Sequence, residues 1–281
     1  TGLISLGHVG FLMRGGYAYA IAVTRWGLPA EVALLLSAAL PALFGLIVGL
    51  PSLRLHGLYL AITTLAFAHI VTAGILAGGE LTGGGSGIMV ERPVVLGMDL
   101  SSDRAFYWFC LGVCALAVLA VLNLRRSYAG RALVAVRDND IAARTMGISL
   151  VQYKLLAFLI SAALTGLAGG LMAIYMSFVS VEGYPFLLSI EALAIVIVGG
   201  IGSVLGAVLG TVFIVTLPEV FSSLMSFIGG RLADTMTTSA HEIKTVLYGV
   251  AIIAFLRFDP RGLRGIWHDL RHTWVHWPLR Y

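Results

Sequence analysis

Apolar residues along the chain form eight long blocks, separated by polar or glycine-rich segments. A helix needs roughly 20 apolar residues to cross the hydrocarbon core of a bilayer. The pattern therefore predicts about eight transmembrane helices, at residues 5–24, 31–50, 57–77, 105–124, 153–175, 187–200, 203–221 and 241–256. The sixth block is short, and Gly-Gly-Ile-Gly joins it to the seventh, which predicts a tight helical hairpin.

The composition argues against a soluble protein. Of the 281 residues, 59% are apolar and only 11% are charged, whereas soluble domains average about 25% charged residues. The net charge of +4 comes from basic residues that lie beside the apolar blocks, which indicates membrane topology and not nucleic-acid binding. We therefore expect an all-α polytopic membrane protein without a soluble catalytic domain. We also expect further sequence ahead of Thr1, including a first span.

Basic residues are distributed unevenly between the two sides of the predicted membrane domain. If residues 125–152 and the C-terminal segment are cytoplasmic, cytoplasmic segments carry twelve Lys and Arg residues and outside loops carry four. Cytoplasmic loops normally hold this excess. The prediction is a transmembrane domain over residues 1–258, with a cytoplasmic loop at 125–152 and outside loops at 78–104 and 222–240. A basic, tryptophan-rich cytoplasmic tail follows at 259–281.

The segment 130–150 is too polar to cross a membrane, yet it carries helix signals. Asp138, Asn139 and Asp140 can cap a short helix that begins near Ile141, because their side chains accept hydrogen bonds from unpaired amides. Gly147 can end that helix. Ala142 and Ala143 would then present a surface of low relief, which suits a groove in a partner protein. A solvated connector is the alternative.

Polar residues at membrane depth are candidates for a substrate path, because burying them costs free energy. His8, between Gly7 and Gly10, either lines a broken helix on this path or bonds a neighbouring helix. The hydroxyls of Thr63 and Thr64 either face a substrate or bond their own helix. Glu191 either caps the sixth helix or contacts a substrate ammonium group.

Glycines are frequent in this chain, at 34 residues. The spacings Gly45/Gly49 and Gly202/Gly206/Gly210 predict close helix packing, although some glycines can instead break helices along a substrate path. The run 199–206 does not match the spacing of a dinucleotide-binding loop. We also find no metal-binding or nucleophile motif.

The run from Ile141 to Gly147 (IAARTMG) resembles the Glu-Ala-Ala-xxx-Gly coupling loop of ABC importer permeases, with Ile141 at the position of the glutamate. Seven runs, in family order, resemble the branched-chain amino acid permease family of the LivM type. They are ISLGHVG (4–10), LRLHGLYLAITTLAF (53–67), GRAL (130–133), DIAAR (140–144), YKLLAF (153–158), SIEAL (189–193) and PRGL (260–263).

This resemblance implies an inner-membrane permease that pairs with a second, homologous permease, two cytoplasmic ATPase subunits and a periplasmic substrate-binding protein. ATP and Mg²⁺ would bind to the ATPases, and this chain would hold no cofactor. The implied substrates are branched-chain or related hydrophobic amino acids, and ATPase closure would be transmitted through residues 138–147.

The sequence departs from the family pattern at two further points. The outside loop reads TGGGSG at 82–87 and lacks the usual aspartate, and Arg14 stands where small or apolar residues are usual. Relatives with similar loops carry urea, short amides or aromatic acids. The other classes considered are an intramembrane enzyme, using His8, His56 or Glu191, and a passive channel.

Overall fold

The computed structural model describes residues 5–52, 57–95, 97–228, 240–258, 262, 263 and 265. The chain is mostly helical and divides into two compact units, Thr1–Phe186 and Leu187–Tyr281. The helices of the first unit are α1 (His8–Thr24), α2 (Ala30–Ser52), α3 (Leu58–Ala77), α4 (Asp103–Arg126), α5 (Tyr128–Asp138), α6 (Asp140–Thr145) and α7 (Leu150–Met176). Those of the second are α8 (Leu187–Gly199), α9 (Val204–Ile228) and α10 (Ala240–Phe258).

Each predicted apolar block lies on one of these helices. Six stretches are long and apolar enough to cross a membrane, namely Ala30–Leu50, Tyr59–Ala77, Asp103–Arg126, Leu150–Met176, Val181–Gly199 and Val204–Ser223. Helix α1 has 17 residues, and the apolar stretch of α10, Thr245–Phe255, is also shorter than a full span. The chain is therefore an all-α, multi-pass membrane protein.

Helix α1 forms the centre of the first unit, where it packs against α2, α3 and α7. Its inner side chains, among them Tyr19 and Ala20, are fully buried. Glycines set the close approach of these helices: a Cβ on Gly15 would collide with the carbonyl oxygen of Gly166, and a Cβ on Gly45 would lie 2.8 Å from the Cβ of Ala162. The predicted role of glycine in packing is confirmed here.

Short strands join the loops of the first unit. β1 (Ile88–Met89) pairs antiparallel with β4 (Phe178–Val179), and β2 (Val94–Val95) pairs with β3 (Met98–Asp99). The Arg25 guanidinium, just past α1, donates to the Glu80 carbonyl oxygen over 2.8 Å. The α1–α2, α3–α4 and α7–α8 connections therefore meet at one end of the unit.

The second unit is built on the predicted hairpin of α8 and α9. A Cβ on Gly199 would collide with the Gly206 carbonyl oxygen, and a Cβ on Gly210 with that of Ile195, so the two helices run in direct backbone contact. Gly200 and Gly202 have φ values of 102° and 83°, which glycine adopts without penalty. Helix α10 packs on α8, around a core of Ala194, Val198, Ile214, Tyr248 and Ala251.

Candidate functional site

Helix α6 is the short helix predicted between the fourth and fifth apolar blocks. Asn139 is its N-cap, with the side-chain oxygen accepting from the Ala142 amide over 3.0 Å. Asp140 lies in the first turn of α6, where a carboxylate complements the helix dipole. Gly147 follows the helix with φ 79°, and its amide donates to the Arg144 carbonyl oxygen. The chain can turn here because glycine adopts this conformation readily.

Asp138 does not cap α6. It is the last residue of α5 and contacts the Arg137 guanidinium over 3.3 Å. Helix α5 itself was missed by the sequence analysis, which treated residues 125–138 as loop. Its N-cap is Ser127, whose hydroxyl oxygen accepts from the Gly130 amide. A serine that precedes an amphipathic pattern was the available signal.

The two alanines of α6 differ in environment, which corrects the prediction that both form a surface. Ala142 is exposed, whereas Ala143 is buried at 4% exposure against Val136 and Leu150. Ala143 therefore holds α6 on α5 and α7 and cannot contact a partner. The exposed apolar residues of the turn are Ile141, at 74% exposure, Ala142 and Met146, at 85%, and the polar Arg144 and Thr145 are exposed beside them.

This apolar exposure is unusual for a polar connector. Large apolar side chains exposed together mark interaction sites in proteins. Ile141 and Met146 lie on a turn that is fixed at both ends, by Asn139 and by Gly147. We call Ile141, Ala142 and Met146 the α6 surface.

His8 and the two threonines lie near the start of α1 and α3. His8 Nδ1 and the Ser5 carbonyl oxygen are 3.0 Å apart. The Thr64 hydroxyl is fully buried, donates to the Ala61 carbonyl oxygen and accepts from the Leu6 amide, both over 3.0 Å. Thr63 donates to the Tyr59 carbonyl oxygen over 2.9 Å. Both threonines thus bond their own helix, and Thr64 also fixes the segment before α1.

Glu191 lies in the second turn of α8, because that helix already begins at Leu187. The first turn holds no acidic residue, so the interpretation of Glu191 as a helix cap is wrong. Its carboxylate instead makes a hydrogen bond with the Tyr248 side chain of α10. Glu191 joins two helices of the second unit.

Arg14, the seventh residue of α1, is half-buried in the first unit. Its guanidinium carbon is 3.1 Å from the centroid of the Phe44 ring on α2 and 5.9 Å from that of Phe67 on α3. Its Nη1 atom is buried and has no hydrogen-bond partner among the described residues. The hydroxyls of Tyr17, Tyr19 and Tyr184 share this state.

The ring faces of Phe44 and Phe67 stabilise the cation of Arg14 but leave the N–H donor of Nη1 without an acceptor among the described residues.

The predicted candidates do not form one cluster. The α6 surface belongs to the connection between α4 and α7, His8 and Thr64 to the start of α1, and Glu191 to the second unit. Within the described residues, no group of three or more His, Cys, Asp or Glu side chains could hold a metal ion. His56 and most of the tail 259–281 lie outside the described residues.

Apolar membrane-length helices around a glycine-packed centre, with a capped short helix between two of them, define a multi-pass membrane protein. The chain belongs to the family described as branched-chain amino acid transport system / permease component, whose model matches residues 1–256.

Individual relatives agree with this assignment. The chain is 35% identical over 264 residues to the high-affinity branched-chain amino acid transport system permease protein LivM of Salmonella typhimurium, and 34% identical to that of Escherichia coli. Each alignment covers 84% of this chain and 62% of the relative. An autoinducer 2 import system permease protein, LsrC of Enterobacter sp., is 30% identical over 137 residues, 47% of this chain and 37% of LsrC. No solved structure matches the chain.

Proposed function

We propose that the chain is the permease subunit of an ATP-driven ABC importer and forms the path for branched-chain amino acids. The support is the family match over residues 1–256 and the two LivM relatives. The chain spans 62% of the length of those relatives, so the activity, the substrate and the partners of this protein are all proposed. The observation that carries the mechanism is the α6 surface.

We infer that α1 and α10 also cross the membrane, which gives eight spans. Helix α1 would be about 25 Å long at 1.5 Å per residue, close to the core thickness, and it packs along three longer apolar helices. Three connections, α1–α2, α3–α4 and α7–α8, lie at the same end of the first unit. This is the arrangement expected if α1, α2, α3, α4 and α7 cross the membrane in alternating directions. The excess of basic residues assigns this end to the outside.

In this arrangement, α5 and α6 lie in the cytoplasm, between two spans. The α6 surface inserts into a groove of a partner ATPase, and Ala143 transmits the movement to α7 through Leu150. Two ATPases, each with ATP and Mg²⁺, act on this chain and a second, homologous permease. A periplasmic binding protein delivers substrate on the other side. ATP-driven closure then changes which side of the path is open, because the permeases favour one conformation when the ATPases close.

The position of the α6 surface can be tested by cysteine labelling. In a chain with Cys110 and Cys114 replaced by alanine, Met146→Cys should react with an impermeant maleimide in inside-out vesicles only. Met89→Cys is the matched control, since Met89 is similarly exposed, at 79% against 85%, but lies on β1. It should react in right-side-out vesicles only. Labelling of both cysteines from one side would disprove the topology.

The coupling role can be tested with the complete importer in proteoliposomes. We expect Ile141→Asp to reduce ATP-dependent leucine uptake at least tenfold and to lower co-purification of the ATPases, because the charge would face an apolar groove. Tyr128→Asp is the control: Tyr128 is 70% exposed but lies at the start of α5, and this variant should retain uptake. Unchanged uptake and co-purification for Ile141→Asp would exclude the α6 surface as the coupling contact.

A further inference from the structure

Arg14 occupies the middle of a buried helix. It is six residues from the start of α1 and ten from its end, so at 1.5 Å per residue it lies about 9 Å and 15 Å from the two ends. Eleven of the 17 residues of α1 are buried. Arg14 itself is half-buried. An ionisable residue in the middle of a membrane helix is a candidate for a functional site, because placing a charge there is costly.

The surroundings of Arg14 hold the guanidinium but leave a donor unused. Phe44 and Phe67 approach it from two different helices, and aromatic rings contact the face of a guanidinium, not its N–H edge. The Nη1 donor finds no acceptor among the described residues, and Arg14 forms no ion pair with any of them. The site therefore provides a cation held by two aromatic rings, with the Nη1 donor available to an anion.

Two further polar atoms of the first unit are buried without a hydrogen-bond partner among the described residues, the hydroxyls of Tyr17 and Tyr184. The Tyr184 hydroxyl lies against Gly16, two residues from Arg14, and residues two apart do not share a helix face. The candidate site therefore consists of the guanidinium of Arg14 alone.

The chemistry of the guanidinium selects the ligand. Its planar fork of N–H donors matches the two oxygens of a carboxylate. A free amino acid that crosses the membrane must carry its carboxylate through a region where an unpaired charge is costly. The guanidinium therefore supplies the positive charge and the N–H donors that the carboxylate needs, and the carboxylate supplies an acceptor for Nη1. We propose that Arg14 binds the carboxylate of the transported amino acid, as a specificity site in the middle of α1; this rests on the proposed function.

The first test uses the wild-type importer complex and the arginine reagent phenylglyoxal. Modification of the peptide that contains Arg14 is followed by mass spectrometry, without ligand, with leucine and with leucinamide, which has the same side chain but no carboxylate. We expect leucine to slow modification of Arg14 at least fivefold and leucinamide to have little effect. The α-amino groups of the two ligands differ in basicity and consume the reagent to different extents, so the rate at Arg14 is divided by the rate at Arg25 in the same sample.

Arg25 provides an internal control in the same experiment. It follows α1, is exposed and bonds the Glu80 carbonyl oxygen, so leucine should not protect it from modification. Equal protection of Arg14 by leucine and leucinamide, or protection by neither, would overturn the proposal.

The second test measures uptake by variants. Arg14→Met should lower leucine uptake about tenfold or more, the loss expected for a charge-assisted hydrogen bond, while ATP hydrolysis stimulated by the binding protein stays within twofold of wild type. Arg14→Lys keeps the positive charge but not the planar fork of donors, so its leucine uptake should lie between that of Arg14→Met and that of wild type. Arg25→Met should transport normally.

The outcomes separate this inference from the proposed function. If the wild-type complex shows no ATP-driven amino-acid uptake, the proposed function fails. If wild type transports and Arg14→Met transports equally well, only the role of Arg14 fails. If Arg14→Met loses the second permease on purification, the anion is an acidic side chain of that subunit, and the substrate assignment is wrong.

Discussion

Replacing Gly166 by alanine is expected to separate α7 from α2 and lower the stability of the first unit. In the structure, a Cβ on Gly166 would collide with the Ser37 carbonyl oxygen and lie 2.8 Å from the Cβ of Pro41. Carbon atoms in good contact are about 3.5–4.0 Å apart, so the helices must move by roughly 1 Å. Gly15 of α1 packs against the same residue, which leaves little room for this movement.

The magnitude follows from two opposing terms. Inserting a methyl group into a packed core costs about 1–3 kcal/mol, and alanine returns up to about 1 kcal/mol through its higher helix propensity. The net loss is about 1–2 kcal/mol. For a chain of this size, that corresponds to a thermal midpoint lower by about 2–8 °C.

Thermal unfolding of the purified protein in detergent, followed by tryptophan fluorescence, measures this midpoint. Gly74→Ala is the matched control, because Gly74 is also within a helix but a Cβ there would meet no atom within 4 Å. Its midpoint should be unchanged or slightly higher. Equal midpoints for the two variants would refute the reasoning that glycine contacts set the distance between α7 and α2.

Three further predictions concern polar and buried groups of the first unit. Thr64→Val should destabilise the protein by about 1–3 kcal/mol, because a part-buried amide loses its acceptor, whereas Thr63→Val should have a smaller effect on the thermal midpoint. Asn139→Ala should cost α6 about 1 kcal/mol and speed amide hydrogen exchange at Ala142, measured by mass spectrometry. Ala143→Glu should lower the thermal midpoint by burying a charge, whereas Ala142→Glu should fold normally and reduce ATP-dependent uptake.

The helices themselves were predictable from residue patterns over short stretches. About 20 consecutive apolar residues are enough to define a membrane helix, because the bilayer, and not a distant part of the chain, is the partner of its side chains. The same holds for α6, since its cap at Asn139 and its end at Gly147 depend on local backbone geometry. The bounds predicted for α8, residues 187–200, agree with Leu187–Gly199 to within one residue, but Glu191 was assigned to the start of this helix although four residues of α8 precede it.

Side-chain environments were harder to predict, because they depend on which helices meet. The sequence distinguishes neither Ala142 from Ala143 nor a packing glycine such as Gly166 from an unpacked one such as Gly74. The difference arises when α6 turns one side towards α5 and α7, or when α7 contacts α2. Helix α5 was missed because a short amphipathic helix is stabilised mainly by its packing.

Membrane insertion, the positions of the apolar helices and the family resemblance could all be read from the amino-acid sequence, since these properties follow from local composition and motif order. The contact of Arg14 with Phe44 and Phe67, and its donor without an acceptor among the described residues, became visible in the folded structure alone. Three helices, distant in sequence, must pack together before that environment exists. Contacts between distant segments are absent from any single stretch of sequence, and these contacts determine the surroundings of this half-buried charge.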